Sequence, residues 1–395
     1  MSVPKAKEES EPSFADVILQ QSNEISRRLE MLRIEKFPPN AQKTLRRFSM
    51  AEVADFIGVS QSYLKKLHLS GKGVEPIVTP TGRRYYTAEQ VNELRELLDR
   101  SPRRKVGDKL QVIAVVNFKG GSGKTTTAVH LSQHLALKGY RVLAVDLDPQ
   151  ASLTALFGIQ PEIDQNLSFY ESLRYDSERK PLTDVIQKTN FPALDIVPAN
   201  LELQEYEYET PIAMRAKDPT AGRTFFTRVG AALQEVDDQY DVVVVDCPPQ
   251  LGYLTLTALA AATSVLITVH PQMLDIMSMG QFLLMLGDIL KSIEDAGAKV
   301  SLDWFRYLVT RFEPGDVPQQ EMVGLMQLMF ARQMLMNPMV KSTAISDAGL
   351  TKQSLYEVER SSFTPATYDR ARESLDAVNS EVIALIEESW GRARG

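Results

Sequence analysis

A chain of 395 residues, 44% hydrophobic and carrying one cysteine, is long enough for two domains, one with a large core. Cys247 alone excludes a disulfide framework and any cysteine-ligated cluster within a single chain, and it fits a reducing cytoplasm. No early apolar run reads as a signal peptide, and no stretch of about 18 apolar residues reads as a membrane span. The expectation is therefore a soluble cytoplasmic protein without a membrane partner.

The net charge of −7 is unevenly distributed: residues 36–105 hold 14 Lys/Arg against 7 Asp/Glu, and the remainder is acidic. A basic module joined to an acidic body points to nucleic acid as the module's partner. Residues 1–12 are polar and read as disordered. Ser13 and Asp16 have the spacing of a capping box, which predicts a helix to about Ile34, stopped by Pro38-Pro39. Phe14, Val17, Ile18, Ile25, Leu29 and Leu32 share one side of it. That stripe needs a second copy of the chain or the following domain to cover it, so residues 1–40 are read as an N-terminal helix with dimerisation as one role.

Residues 41–105 form the basic module. Ser49 caps a short helix, Met50 to Phe56; Ile57-Gly58-Val59 turns; Ser60 opens a second helix, Gln61 to Leu69. A hairpin over Ile77–Thr87 follows, with Gly82-Arg83-Arg84 near its tip, and Thr87 then caps a helix carrying Val91, Leu94, Leu97 and Leu98. This order resembles the winged helix-turn-helix of MerR-type DNA-binding domains. The resemblance places Gln61, Ser62, Lys65 and Lys66 in a major groove, with Arg83 and Arg84 on phosphates or in the adjacent minor groove. The blander alternative is a helical adaptor with a solvated basic face. Ser101-Pro102-Arg103-Arg104-Lys105 reads as a linker.

From residue 106 onward apolar strands alternate with helical segments, at 112–116, 141–146, 194–197, 241–246, 264–269 and 305–310. Near-continuous apolar strands imply a parallel sheet buried on both faces, and so an α/β fold. Between the first strand and the helix Ala128–Lys138 stands Lys119-Gly120-Gly121-Ser122-Gly123-Lys124-Thr125-Thr126-Thr127. Glycines in that position let backbone N–H groups converge on a phosphate at a helix N-terminus. Lys124 would reach the outer phosphates and the Thr125 hydroxyl would hold Mg²⁺. Residues Gly120 to Thr126 are thus the expected nucleotide contacts. An ordinary strand-to-helix glycine turn would not need the whole string.

A general P-loop has glycine where Phe118 stands, with Lys119 beside it. This resembles the deviant Walker A of the ParA/MinD ATPases, whose early lysine crosses a dimer interface to the partner's nucleotide. The fold implied is a parallel-sheet P-loop NTPase. Asp246, in Val244-Val245-Asp246-Cys247-Pro248-Pro249, resembles the Walker B aspartate that positions Mg²⁺. Asp146 and Asp148, in Val145-Asp146-Leu147-Asp148-Pro149-Gln150, resemble the family's second acidic motif, with Asp146 near the metal and Asp148 orienting the attacking water. An apolar run ending in Asp is more often a mere strand terminus, but here it occurs twice after a P-loop. Pro271, with Gln272, and Thr310-Arg311 resemble positions around the base pocket. Lys341, Lys352, Arg360 and Arg370 match a nonspecific DNA patch only loosely.

The closest family likeness is to the RepA branch of ParA ATPases from repABC plasmids. It implies ATP and Mg²⁺, catalytic roles for Lys119, Lys124 and Asp148, an ATP-dependent homodimer, and a ParB/RepB-type centromere-binding partner. It also implies nonspecific binding to nucleoid DNA and repression of the chain's own operon through a specific operator. Two alternatives remain, an ATP-sensing repressor without motor activity and a MinD-like division ATPase. The second needs a basic membrane helix, whereas Leu375–Trp390 carries Asp376, Glu381, Glu387 and Glu388 on its polar face. An iron–sulfur reductase fails on cysteine count.

Overall fold

The computed structural model describes residues 13–36, 43–161, 166–215, 224–295 and 301–392, which fall into two units, 1–43 and 44–395. In the first, Ser13 and Asp16 close the expected capping box at the start of α1 (Phe14–Lys36): Asp16 N–H donates to Ser13 Oγ at 3.2 Å and Ser13 N–H to Asp16 at 3.1 Å. Phe14, Ile18 and Ile25 are exposed along it. The side chains of Leu29 and Leu32, the expected stop at Pro38-Pro39 and the tail 1–12 lie outside the described residues.

The second unit begins with β1 (Phe48–Ser49), α2 (Met50–Ile57) and α3 (Gln61–Leu69), followed by β2 (Ile77–Val78), β3 (Arg84–Tyr86) and α4 (Ala88–Leu97). Ser49 with Glu52 and Thr87 with Gln90 form capping boxes, and Ser60 Oγ accepts from Tyr63 N–H at 3.1 Å. The wing has three strands, in the order β1-β3-β2, because Phe48 and Ser49 add antiparallel to Tyr86 and Tyr85. Phe48, Val53, Phe56, Leu64, Tyr86, Val91 and Leu94 form its core.

The body carries β4 (Gln111–Val116), α5 (Lys124–Lys138), β5 (Val142–Asp146), α6 (Ser152–Leu156), α7 (Tyr170–Leu173), α8 (Leu182–Val185), β6 (Gln187–Lys188), β7 (Leu194–Val197) and α9 (Leu203–Arg215). After these come α10 (Arg228–Gln234), β8 (Val242–Asp246), α11 (Tyr253–Ala261), β9 (Ser264–Val269), α12 (Met273–Asp295) and β10 (Trp304–Val309). Helices α13 (Val317–Phe330), α14 (Thr343–Leu350) and α15 (Pro365–Ser389) complete it. The strands run β10-β9-β4-β8-β5-β7-β6. All adjacent pairs are parallel except β6 with β7, a two-residue antiparallel edge too short to leave a sequence pattern. Every residue of β4, β5, β7, β8 and β9 is buried, with a hydrophobic cluster on each face of the sheet.

The basic module is fastened to this body. Arg95 of α4 is 2% exposed and donates through Nη2 to Leu137 O, at the end of α5, at 2.5 Å. Gly139 caps α5 with φ 105°, and a Cβ there would lie 2.5 Å from the Arg95 side chain, so the position needs glycine for both backbone and space. Burial lowers the Arg95 pKa to about 10. Lys138 pairs with Asp55 at 2.9 Å, and the expected linker is pinned where Arg104 N–H donates to Asp241 at 3.1 Å.

Two helices bear on the membrane question. In α15, Leu375, Val378, Val382, Leu385 and Ile386 are buried, and Glu381 accepts the Met336 and Asn337 N–H groups. Its apolar face belongs to the core. The expectation of no long apolar run is corrected by α12, whose Met273–Lys291 stretch has mean hydropathy 1.5 and suffices, by length and composition, to cross a bilayer. Ile276, Met279, Phe282 and Leu286 of that helix are buried in the core on one face of the sheet, while Met273, Leu274, Met277, Leu284 and Met285 are exposed.

Candidate nucleotide site and DNA-binding face

Strand β4 ends at Val116, and the chain then wraps over its own end before entering α5. Asn117 starts the turn: its Nδ2 donates to Thr268 O on β9, and its Oδ1 accepts Lys119 N–H at 2.8 Å. Gly123, with φ 86°, sits at the N-cap of α5, and a Cβ there would meet Thr310 at 3.3 Å. The Thr310 hydroxyl donates to Ser122 O at 2.7 Å and Arg311 Nη1 to Gly121 O at 3.0 Å. The glycine turn is therefore locked from the end of β10.

This turn opens on a cavity of about 460 Å³ lined by Gly120 through Thr126, Asp148, Gln150, Ser152, Pro249, Thr310 and Arg311. Its far wall is Met339–Ser342 with Ile345 and Ser346. That wall exists because the chain after α13 runs beside β10: Met339 N–H donates to Val309 O at 2.8 Å and Phe312 N–H to Met339 O at 3.0 Å. Pro271, buried at the exit of β9, and the exposed Gln272 are not among the residues that line this cavity. The wall residues carried no motif; only long-range pairing put them there.

Lys124 is 7% exposed, and its Nζ donates to Lys119 O at 3.3 Å. Burial lowers its pKa, against the opposing charges of Asp246 and Asp148. Both carboxylate oxygens of Asp246 are buried and find no hydrogen-bond partner among the described residues. Burial and the neighbouring Asp146 hold that carboxyl well above the usual range, with the Thr125 hydroxyl and Lys124 only partly offsetting them. Asp146 is satisfied instead: it accepts Thr154 N–H and Oγ1–H at 2.8 Å and Asp148 N–H at 3.1 Å, and burial raises its pKa to about 7. Asp148 lines the cavity and accepts Gln150 N–H at 2.9 Å.

The orphaned oxygens of Asp246, with the Thr125 hydroxyl, form a hard oxygen donor set suited to Mg²⁺ completed by phosphate and water oxygens. Mg²⁺ so held would neutralise phosphate charge. Asp146, committed to Thr154, sits behind that set.

Lys119 is 47% exposed at the cavity's rim and ion-paired to Asp275 in the first turn of α12. His270 Nδ1 approaches the other Asp275 oxygen at 3.2 Å. Asp275 was invisible to motif reasoning, since a lone acid at a helix start is ordinary.

On the basic module, Gln61, Ser62, Lys65 and Lys66 are exposed along α3, as a groove-reading helix requires. Arg83 is exposed at the wing, whereas Arg84 is half-buried with its Nε unpartnered among the described residues. Arg83→Ala is thus expected to reduce the slope of log affinity against log salt by about one on double-stranded DNA, measured by titration at several salt concentrations. Arg84→Ala should change the slope less and the module's stability more. Two members of the loosely matched patch are ion-paired: Lys341 with Glu313 at 2.9 Å and Arg360 with Asp369 at 2.6 Å.

Fold and site together define a P-loop ATPase joined to a winged helix-turn-helix. Comparison with known proteins agrees: an AAA-domain family profile matches residues 110–297, and a MerR helix-turn-helix regulatory profile matches 48–98. A provisionally named replication protein A of Sinorhizobium fredii is 64% identical over 388 residues, 96% of this chain and 95% of that one. A solved structure titled Partition Protein superposes with a TM-score of 0.64 at 20% identity, over 95% of this chain and 99% of that one, a likeness of fold. The cobyrinic acid a,c-diamide synthase of Mycobacterium smegmatis, solved with an ATP analogue and magnesium, gives a TM-score of 0.50 at 28% identity, over 61% and 94% of the two chains. The chain belongs to the ParA/MinD family of deviant Walker A ATPases, in the branch of the RepA proteins of repABC plasmids. The P-loop and its buried carboxylate suit ATP and Mg²⁺, and that synthase was solved with an ATP analogue and magnesium.

Proposed function

We propose that this chain is a plasmid-partition ATPase in which ATP drives pairing of two copies and hydrolysis releases them. One observation carries this reading. Helix α5 starts in the phosphate cradle and ends against Arg95 of the DNA-binding module, so one rigid element joins the nucleotide to the DNA-binding face. Lys124 and the backbone N–H groups of the turn hold the phosphates; Asp148, facing the cavity, orients the attacking water; Asp246 and Thr125 hold Mg²⁺. Lys119 exchanges Asp275 for the partner copy's triphosphate, so loss of the γ-phosphate loosens the pair.

The module on residues 48–98 binds the operator of its own operon, and the paired ATPase body binds nucleoid DNA. A ParB/RepB-type centromere-binding protein stimulates a slow Mg²⁺-dependent hydrolysis. The decisive experiment is a footprint on DNA upstream of the gene, with ADP and with ATP, alongside turnover with and without that protein and DNA. A footprint with no stimulated turnover would instead support an ATP-sensing repressor.

The ion pair at the rim makes a further test. Lys119→Ala should leave ATP affinity within about twofold but abolish ATP-dependent pairing in sedimentation. Asp275→Ala should strengthen pairing roughly two- to fivefold, because a half-exposed ion pair restrains Lys119 by up to ~1 kcal/mol. A Lys119→Ala variant that pairs normally would remove the trans role.

A further inference from the structure

The loop from Cys247 to Gly252 follows the Asp246 strand, and its Pro249 lines the nucleotide cavity. What holds this loop's far end is the start of α11. Gly252 occupies the N-cap and has no side chain to satisfy the helix's first N–H groups. A carboxylate from another helix does so: Glu207 of α9 accepts Tyr253 N–H at 2.8 Å on one oxygen and Leu254 N–H at 2.9 Å on the other. The negative charge lies at the positive end of the helix. A Cβ at Gly252 would fall 2.4 Å from one Glu207 oxygen and 2.7 Å from the other, so glycine is what admits the carboxylate. The Thr255 hydroxyl donates to Gln250 O at 2.6 Å and ties the loop back onto the same helix start. Helix α9 is itself anchored, since Tyr206 Oη donates to Phe225 O at 3.0 Å and the Phe225 ring meets Tyr253 edge-on at 5.1 Å.

We infer that Glu207 is a positioning residue for ATP hydrolysis, which caps α11 from α9 and thereby sets where the Pro248-Pro249 loop meets the terminal phosphate. The inference rests on the hydrolytic function proposed above. Glu207 is not among the residues that line the nucleotide cavity. It acts through the helix start, on the end of the cavity where Pro249 stands, while the glycine turn that grips the other phosphates is locked separately by Thr310 and Arg311. Losing the cap should therefore affect the ATP state and spare the ADP state.

The test uses the full chain with Mg²⁺. Glu207→Ala is expected to lower kcat and the extent of ATP-dependent pairing by about tenfold, the scale of a lost helix cap, with ADP affinity within twofold of the parent. Gly252→Ala should reproduce this by evicting the carboxylate, and the double variant should be no worse than either single one. Glu207→Gln, which keeps one acceptor, should recover part of the rate and serves if the alanine variant fails to fold. Unchanged kcat in folded Glu207→Ala or Glu207→Gln, or ADP affinity falling in parallel with kcat, would overturn the inference. A parent protein that binds ADP but never turns over ATP would instead overturn the hydrolytic reading beneath it.

Discussion

Lys124→Ala is expected to weaken ATP binding on the order of 10²- to 10³-fold, as truncating one partner of a buried charge pair does. Calorimetric titration with ATP and Mg²⁺ measures it directly. The melting temperature of the nucleotide-free protein should hardly move, because two effects oppose. Lys124 has a folded pKa below its unfolded value, so its charge costs folding free energy at neutral pH; that cost is relieved only as pH rises through the folded pKa. Alanine removes the cost but also removes the cation facing Asp246. A variant that still binds ATP tightly would take the phosphate cradle away from this turn.

Asp246→Asn should have opposite effects on stability and activity. Its two oxygens are buried with no hydrogen bond among the described residues, so the amide relieves a desolvated charge, while hydrolysis would lose its hold on Mg²⁺. Turnover should fall by about a hundredfold or more. The pH dependence gives the sign. Asp146 and Asp246 have folded pKa values above their unfolded ones, so the folded state binds more protons once pH exceeds about 4. The contribution of these two carboxyls to the stability of the nucleotide-free protein should therefore fall as pH rises through that window, which for Asp146 ends near 7. Melting curves of parent and Asp246→Asn at pH 6 and pH 8 check this: going to pH 8 should be less favourable for the parent than for the variant, since the buried His130 and His134, whose lowered pKa values add stability over the same range, are common to both. An equal or more unfavourable change in the variant would mean that Asp246 is already ionised without cost.

The phosphate cradle was legible because its determinants are contiguous. A glycine turn between an apolar strand and a helix can be read in one window, and so could the capping boxes at Ser49 and Thr87. The third wing strand, β1, was not, since two residues have no periodicity of their own and pair only because Tyr85 and Tyr86 lie opposite. Met339–Ser342 walls the cavity without any motif of its own, because the chain after α13 pairs beside β10. Asp275 pairs with Lys119 across 156 residues, and no local pattern encodes such a distance.

Local chemistry was thus settled by the linear order of residues: where backbone N–H groups converge, which strands end in acids, which helix is capped to present Lys65 and Lys66. Packing alone decided which acid stays orphaned, Asp246, and which is satisfied, Asp146 by Thr154. It also decided that Arg95 bolts the basic module to the end of α5, and that Glu207 caps a helix it does not belong to. Turns and caps draw on neighbours within four residues, whereas burial and charge pairing depend on groups that meet only once the sheet has closed.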